Sequence, residues 1–521
     1  MSAILSIAGA DVAERVRRFA FIMTIVVALY GGYLYVPDSS AQYITVSIDG
    51  HRGIYNSAWM GAMIAALSAA FLTLVGFFLV RGSVERDREL RTDELVASSP
   101  VRKATFMLGK FGSNVTVLAA IAVVMYGATI VMQLLRAEDR TIDLLAYVLP
   151  LAIVTLPSLA LVAAVAVLFD TLSFLRGVIG GVAYVVLWTV LLFVPITRTE
   201  GGTAWAPFDP LGTTVVTTSM SAGVRHAFAR VNLHELEIGG SDVPAHGLTT
   251  FVFSGMHWSA ALLATRFAWV VVALLIALAA VPIFDRFSGE RVRPARAGGR
   301  LFDLAALVPN VTGLRLYRAE LALLLNGSNI YWWIGAVALI IATGFASGPA
   351  VTKFVIPIAL IWPIERWSEL GCRDRRWNVE ALLASAPRAF VRTALVQWTA
   401  GITVGAVICA GYLIRLIGSG HTGSALALIA AIAAISAAAL ACGVLTGTPR
   451  FFEGAYLIVW YLGPVNHLRQ LDFATAAVVA PFRLIVVCAV VVLASLGAAL
   501  LWRRIAHSDA LPRLTGAAKP A

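Results

Sequence analysis

Residues 84–111 read VERDRELRTDELVASSPVRKATFMLGKF, and residues 371–398 read GCRDRRWNVEALLASAPRAFVRTALVQW. Aligned without a gap at a constant offset of 287, they share eight identities in 28 positions. The matches are Arg86/Arg373, Asp87/Asp374, Arg88/Arg375, Leu95/Leu382, Ala97/Ala384, Ser98/Ser385, Pro100/Pro387 and Leu108/Leu395, and Asp93 stands opposite Glu380. Background residue frequencies would give about two identities. Each stretch opens with charges and closes with apolar residues. The pair therefore marks a duplication, and the rest of the chain is organised around it.

Around each copy the sequence is apolar. A helix needs about 20 such residues to cross the hydrocarbon layer of a bilayer. Twelve runs approach that length: 19–36, 58–80, 112–135, 143–169, 177–195 and 260–284, then 330–346, 349–364, 393–414, 424–446, 452–464 and 482–502. Each copy of the repeat lies between the second and third runs of its set. The expected fold is thus an all-α polytopic membrane protein, with about twelve transmembrane helices in two tandem six-helix repeats of the same orientation. The domains follow: 1–287 as the first six-span half, 288–313 as a cytoplasmic basic linker that begins SGERVRPARAGGR, and 314–521 as the second half.

Composition agrees. Of the 521 residues 59% are apolar and 13% charged, and the mean hydropathy is +0.84. A soluble globule has about half and about a quarter. This excludes a string of soluble domains, a disordered chain and a disulfide scaffold. The formal net charge of +11 does not point to nucleic acid, because of where it sits. With both termini in the cytoplasm, 29 of the 40 basic residues fall in cytoplasmic segments, the asymmetry that fixes topology. The N-terminus, with Glu14, Arg15, Arg17 and Arg18 ahead of a full-length run, reads as an interfacial helix over 3–18 and not as a cleaved leader.

The repeated segments have legible local physics. Glu85 to Ala97 holds helix formers and alternating charge, which suits a short helix on the membrane surface. Ser98, Ser99 and Pro100 then form a helix-start signal, and Ser385, Ala386 and Pro387 repeat it. A second surface helix is expected over 372–384. Residues 314–333, LRLYRAELALLLNGSNIYWW, place Leu314, Leu321, Leu324 and Leu325 on one face and end in an aromatic belt.

Several chemistries find no support. The only lysines are Lys103, Lys110, Lys353 and Lys519, and none completes a nucleotide-binding P-loop. No acidic residue lies in the middle of a clear run; Asp170 and Glu453 stand at cytoplasmic ends, which disfavours an ion-coupled carrier. The segment 196–259 carries His226, His234, His246 and His257 with Glu235, Glu237 and Asp242, but at no metal-site spacing. It reads as a loop with short amphipathic or re-entrant pieces. Cys372, Cys409, Cys442 and Cys488 form neither a metal knuckle nor a disulfide framework.

With six runs per half, an interfacial helix before the first and a charged surface helix between the second and third, the chain resembles the type-2 ABC exporter permeases. ELVASSPVRKATFMLGK (94–110) looks like their coupling-helix region. HRGIYNSAWMG (51–61), LFDTLSFLRG (168–177) and FFEGAYLIVWYLGP (451–464) are similar to segments of fused twelve-span bacterial members. The resemblance implies a bacterial inner-membrane exporter subunit without catalytic, cofactor or metal residues of its own. Separate ABC ATPase subunits, two by analogy, would carry the ATP and magnesium. Arg86, Asp87, Arg88 and Glu94, with Arg373, Asp374, Arg375 and Glu380, become the ATPase-coupling candidates. Their other possible role is to hold each surface helix to anionic headgroups. Trp377, with arginines at 373, 375 and 376, departs from the first copy and puts equal binding of two identical ATPases in doubt. An ion-coupled secondary transporter, or a membrane enzyme working through 196–259, stays open as an alternative.

Overall fold

A computed structural model describes the chain apart from residues 1, 39–42, 49, 90–95, 97, 173–174, 176–177, 201–207, 229–235, 243–248, 285–308, 310–313, 326–327, 329, 347–350, 378, 380–388, 466–470 and 508–521. The chain divides into two compact units, Met1–Glu290 and Arg291–Ala521.

The first unit opens with α1 (Ser2–Val16) and α2 (Phe19–Tyr35), followed by strands β1 (Tyr43–Ile48) and β2 (His51–Gly53). Helix α3 (Ser57–Val80) comes next, then the short α4 (Ser83–Glu89), α5 (Lys103–Arg136) and α6 (Leu145–Thr171). After these come α7 (Val178–Glu200), α8 (Thr213–Ala227), strands β3 (Leu236–Asp242) and β4 (Thr249–Phe251), and α9 (Ala260–Ile283). The second unit holds α10 (Arg315–Leu325), α11 (Ile330–Phe345), α12 (Ile356–Ile361), α13 (Ile364–Ser368) and α14 (Arg373–Arg376). It continues with α15 (Ala389–Ile408), α16 (Ala410–Gly418), α17 (Thr422–Thr446), α18 (Pro449–Trp460), α19 (Phe473–Val479) and α20 (Pro481–His507).

Seven helices among the described residues are long and apolar enough to cross a membrane: α3, α5, α6, α9, α15, α17 and α20. Residues Ala3–Val16 and Phe21–Tyr35 make an eighth if taken together, bent by 77°. The described residues thus hold seven or eight helices of span length, fewer than the twelve expected. The run 177–195 contributes an apolar stretch over only Ala183–Pro195, and 330–346 only Trp332–Phe345. The run 349–364 passes through a π-helical turn (Val351–Val355) and breaks at Pro363, while 452–464 ends in a π-helical turn, Tyr461–Val465, that contains Pro464. Proline lacks the N–H that an uninterrupted span requires.

Burial separates inner from outer helices. The apolar window of α3 is 94% buried, so α3 is the axis of the first unit; that of α9 is 22% buried and that of α20 only 11%. An apolar helix left so uncovered fits a surface turned to lipid. In the second unit the axis is α17, whose alanines and glycines let α15 and α20 approach closely.

The expectation of an all-α chain is also corrected. Four short strands form one sheet in the order β3-β1-β2-β4, with β1 antiparallel to both β2 and β3, and β2 parallel to β4. YITVSI (43–48) is rich in β-branched residues and lies between apolar helices, so a helix-length count misses it. The sheet draws residues from 236–251, so part of the segment expected to be loop is strand, and another part is α8.

The segment 51–61 joins this sheet to α3. Asn56 caps α3, its side chain accepting from Trp59 N–H at 2.8 Å, and donates to the Phe253 carbonyl at 3.0 Å. Trp59 then packs edge-on against Phe251 and Phe253. Beside it Arg52 forms a two-pronged ion pair with Glu138 at 2.9 and 3.1 Å, and Glu138 also accepts from Tyr55 N–H at 2.9 Å. Burial pushes the Glu138 carboxyl up, but the Arg52 and Tyr55 bonds outweigh it and hold it below the ordinary value of 4.5. A lowered acid stabilises the fold above its unfolded-state value and loses that contribution as pH falls through the folded one. Stability should therefore decline on the acid side of 4.5, and Glu138→Gln should flatten that part of the profile, measured as thermal unfolding midpoint against pH.

Candidate functional site

At the end of the first unit remote from the sheet, a glycine with left-handed backbone, Gly82 (φ 71°), turns the chain out of α3 into α4. Asp170, the penultimate residue of α6, caps that turn. Its carboxylate accepts from Gly82 N–H at 2.7 Å, Ser83 Oγ at 3.2 Å and Val84 N–H at 3.4 Å. Thus Asp170 holds the root of the surface helix.

Four buried charges tie that helix down. Lys110 on α5 pairs with Asp87 on α4 at 2.9 Å and with Asp11 on α1 at 2.7 Å. Asp11 also pairs with Arg15 at 2.8 Å and accepts from Ser113 Oγ. All four charged residues are at most 8% exposed. Two acids and two bases balance, which is the condition under which such groups tolerate burial. Burial holds the Asp87 carboxyl above its ordinary range, against the pull of Lys110.

The second unit builds a counterpart. Gly371 (φ 77°) makes the turn, and its N–H donates to Gln397 Oε1 at 3.2 Å. Gln397 is the position that the repeat aligns with Lys110. Arg373 pairs with Glu320 on α10, and Asp374 with Arg503 on α20 at 3.2 Å. Arg503 further donates to Thr393 Oγ1 at 3.0 Å. Again two acids and two bases join the surface segment to the preceding amphipathic helix and to a long apolar helix. Burial raises the Glu320 carboxyl, with Arg373 opposing. The nearby Cys372 thiol is pushed up to about 12, first by burial and then by Glu369, so it is not a nucleophile at neutral pH.

The predicted coupling residues divide by position. Asp87, Arg373 and Asp374 are anchors inside their units, and Arg86 is half-buried on α4. Arg375 lies on the exposed side, followed by exposed Arg376 and by Trp377 at 72% exposure. For Arg88 the structure places the backbone in α4 and describes no side chain; Glu94 and Glu380 lie outside the described residues. The surface helices are also shorter as described than Glu85–Ala97 and 372–384, covering Ser83–Glu89 and Arg373–Arg376. Nor do Ser98, Ser99 and Pro100 start α5, since its cap position is Arg102 and Ser99 Oγ donates to the Val96 carbonyl at 2.9 Å.

The sequence reading placed Glu320 at the headgroups and gave no partner to Asp11, Lys110 or Arg503. The missed signal was a charge in the apolar face of a helix: Lys110 sits among Met107, Phe111 and Asn114 where a lipid-facing residue would be apolar. Among the described residues no group of three or more His, Cys, Asp or Glu is arranged to hold a metal ion.

The geometry thus defines a helical protein whose apolar helices fit embedding in a membrane, with a charged anchoring cluster at one end of each unit. No protein-family model, curated protein or solved structure matches the chain.

Proposed function

We propose that this chain is the membrane-spanning permease subunit of an ATP-binding-cassette exporter, with a type-2 arrangement of two six-helix halves in the bacterial inner membrane. One observation carries the reading. In both units the repeated Arg-Asp tract follows a left-handed glycine, is bonded to a long apolar helix, and is tied to the amphipathic helix that opens the unit, through Lys110 in the first and directly by Arg373 in the second. A surface segment held in that way moves its unit when it is pushed. The driving force then comes from a separate ATPase subunit bound beneath each tract, holding ATP and magnesium. Asp87, Lys110, Arg373, Asp374 and Arg503 transmit the push, while Arg86, Arg375, Arg376 and Trp377 meet the partner.

The order of elements supports the same reading. Each unit runs from an amphipathic helix (α1, α10) through apolar helices to a surface segment and then to longer apolar helices, and a short helix (α8, α19) precedes the last long helix. Both termini are then cytoplasmic, and the substrate leaves on the sheet side.

Arg373 is a poor residue on which to test docking, because reversing it also breaks its pair with Glu320. The triple variant Arg375→Glu, Arg376→Glu, Trp377→Ala changes exposed side chains only. It should insert and fold as the parent does but co-purify with at least about tenfold less ATPase, as expected when a basic, aromatic contact patch is reversed. Normal ATPase recovery with this variant refutes the docking role.

A further inference from the structure

Helix α9 is mostly uncovered, yet its seventh residue is an arginine at 2% exposure. Six residues of helix place Arg266 about 9 Å inside the start of α9. A guanidinium there is costly unless its N–H groups are all engaged. Arg266 meets five acceptors, four of them backbone carbonyls. Nε donates to Ile153 O at 3.2 Å and Nη1 to Asp209 O; Nη2 lies 3.3 Å from Val154 O, 3.0 Å from Ser158 Oγ and 3.4 Å from Pro210 O.

The Val154 carbonyl also accepts from Ser158 Oγ at 2.7 Å, but the Ile153 carbonyl lacks a helical donor for a reason that the sequence states. Ile153 and Val154 lie in the π-helical turn Leu151–Thr155 of α6, and Pro157 follows. Proline has no N–H, so the carbonyl four residues earlier, that of Ile153, loses its helical donor. Arg266 supplies the missing donor from another helix.

The remaining acceptors belong to the turn that opens α8. There the Asp209 carboxylate accepts from Thr213 N–H at 3.0 Å, Thr214 Oγ1 at 2.6 Å and Val215 N–H at 3.2 Å, while its backbone carbonyl accepts from Gly212 N–H at 3.3 Å and from Arg266. Ser158 Oγ reaches the Leu211 carbonyl at 2.8 Å. Gly212 (φ 77°) completes the turn, and a Cβ there would come within 2.6 Å of Val154 Cγ1 and 3.2 Å of Arg266 Nη2.

We infer that Arg266 is a positioning residue that fastens the turn at 209–212, and with it α8, onto the bulged part of α6, so that α6, α8 and α9 move as one body at the sheet end of the first unit. The inference stands on this geometry and does not require the permease reading. Within that reading, it places the moving seam of the first unit elsewhere than between these three helices.

The test uses the full-length protein in lipid nanodiscs, with the four native cysteines replaced by alanine and Met220→Cys, fully buried on α8, as reporter. Reaction with a hydrophilic maleimide reads detachment of α8. Arg266→Ala should raise the labelling rate about tenfold or more, as expected for a segment that opens locally. Guanidinium at non-denaturing concentration should restore protection by refilling the carbonyl cage. Arg266→Lys has one charged nitrogen in place of the fork and should fall between parent and alanine. Pro157→Ala returns a donor to Ile153 O and should loosen α8 with Arg266 intact. A control cysteine at Ala163, buried in α6, should stay unreactive throughout. Unchanged Met220→Cys labelling in Arg266→Ala overturns the inference. So does labelling that rises equally at both sites without guanidinium rescue, which reports general unfolding.

Discussion

Replacing Lys110 by methionine should destabilise the purified protein by about 3–5 kcal/mol, the usual cost of leaving a buried charge without its partner. The site explains the size. Lys110 Nζ links Asp11 on α1 to Asp87 on α4, at 2.7 and 2.9 Å, and its side chain is 4% exposed. Methionine matches the length of the stem and leaves two carboxylates facing an apolar group. Asp11 keeps Arg15 and Ser113, whereas Asp87 loses the base that opposes its burial. The double variant Lys110→Met, Asp87→Asn should therefore be closer in stability to the parent than Lys110→Met alone, a sign reversal that a simple packing role would not give. The shift in thermal unfolding midpoint across the cycle reads it directly. If the two substitutions merely add, the ion pair is not what holds α4.

A comparably large effect is expected of Gly443→Ala in the second unit. A Cβ on Gly443 would lie 1.9 Å from the Leu370 carbonyl oxygen and 3.0 Å from Cys372 N, both backbone atoms of the turn that leads into α14. Backbone cannot swing aside as the end of a side chain can, so either α17 or the turn must shift. Overpacking of this kind costs at or above the upper end of about 1–3 kcal/mol. The turn carries Gly371, Arg373 and Asp374, so the same substitution should weaken the bonds to Glu320 and Arg503 and lower ATPase co-purification as well as stability. Gly497→Ala on α20 is the matched control: nothing lies within 4 Å of its Cβ position, and alanine there should be neutral or stabilising by up to about 1 kcal/mol.

The gross architecture was legible because lipid imposes length and hydropathy on the spans, and α3, α5, α6, α9, α15, α17 and α20 satisfy both. Runs interrupted near Pro363 or Pro464 were harder to judge, since a hydropathy count does not register a missing donor. The sheet was hidden for another reason. Its partners, 43–53 and 236–251, are about two hundred residues apart, and pairing between such segments leaves no local periodicity beyond a few β-branched residues.

The anchoring cluster was half legible. The repeat drew attention to Arg86, Asp87, Arg373 and Asp374, but charge in a surface segment reads as solvent-facing until its neighbours are known. Only the fold shows that Asp87 points inward at Lys110 while Arg375 points away. Arg266 was missed because the search of the spans was for acids. Pro157 was the clue, as a proline within a helix frees a carbonyl that some donor must satisfy.

The most direct measurement is ATPase activity co-eluting with the affinity-purified full-length chain, extracted from its own host membrane in mild detergent. The expected result is a P-loop ATPase in the same elution peak as the chain, with hydrolysis that is lost when Arg375, Arg376 and Trp377 are replaced together. A chain that elutes without any ATPase, and that alone moves solute across a vesicle membrane down an imposed ion gradient, would contradict it.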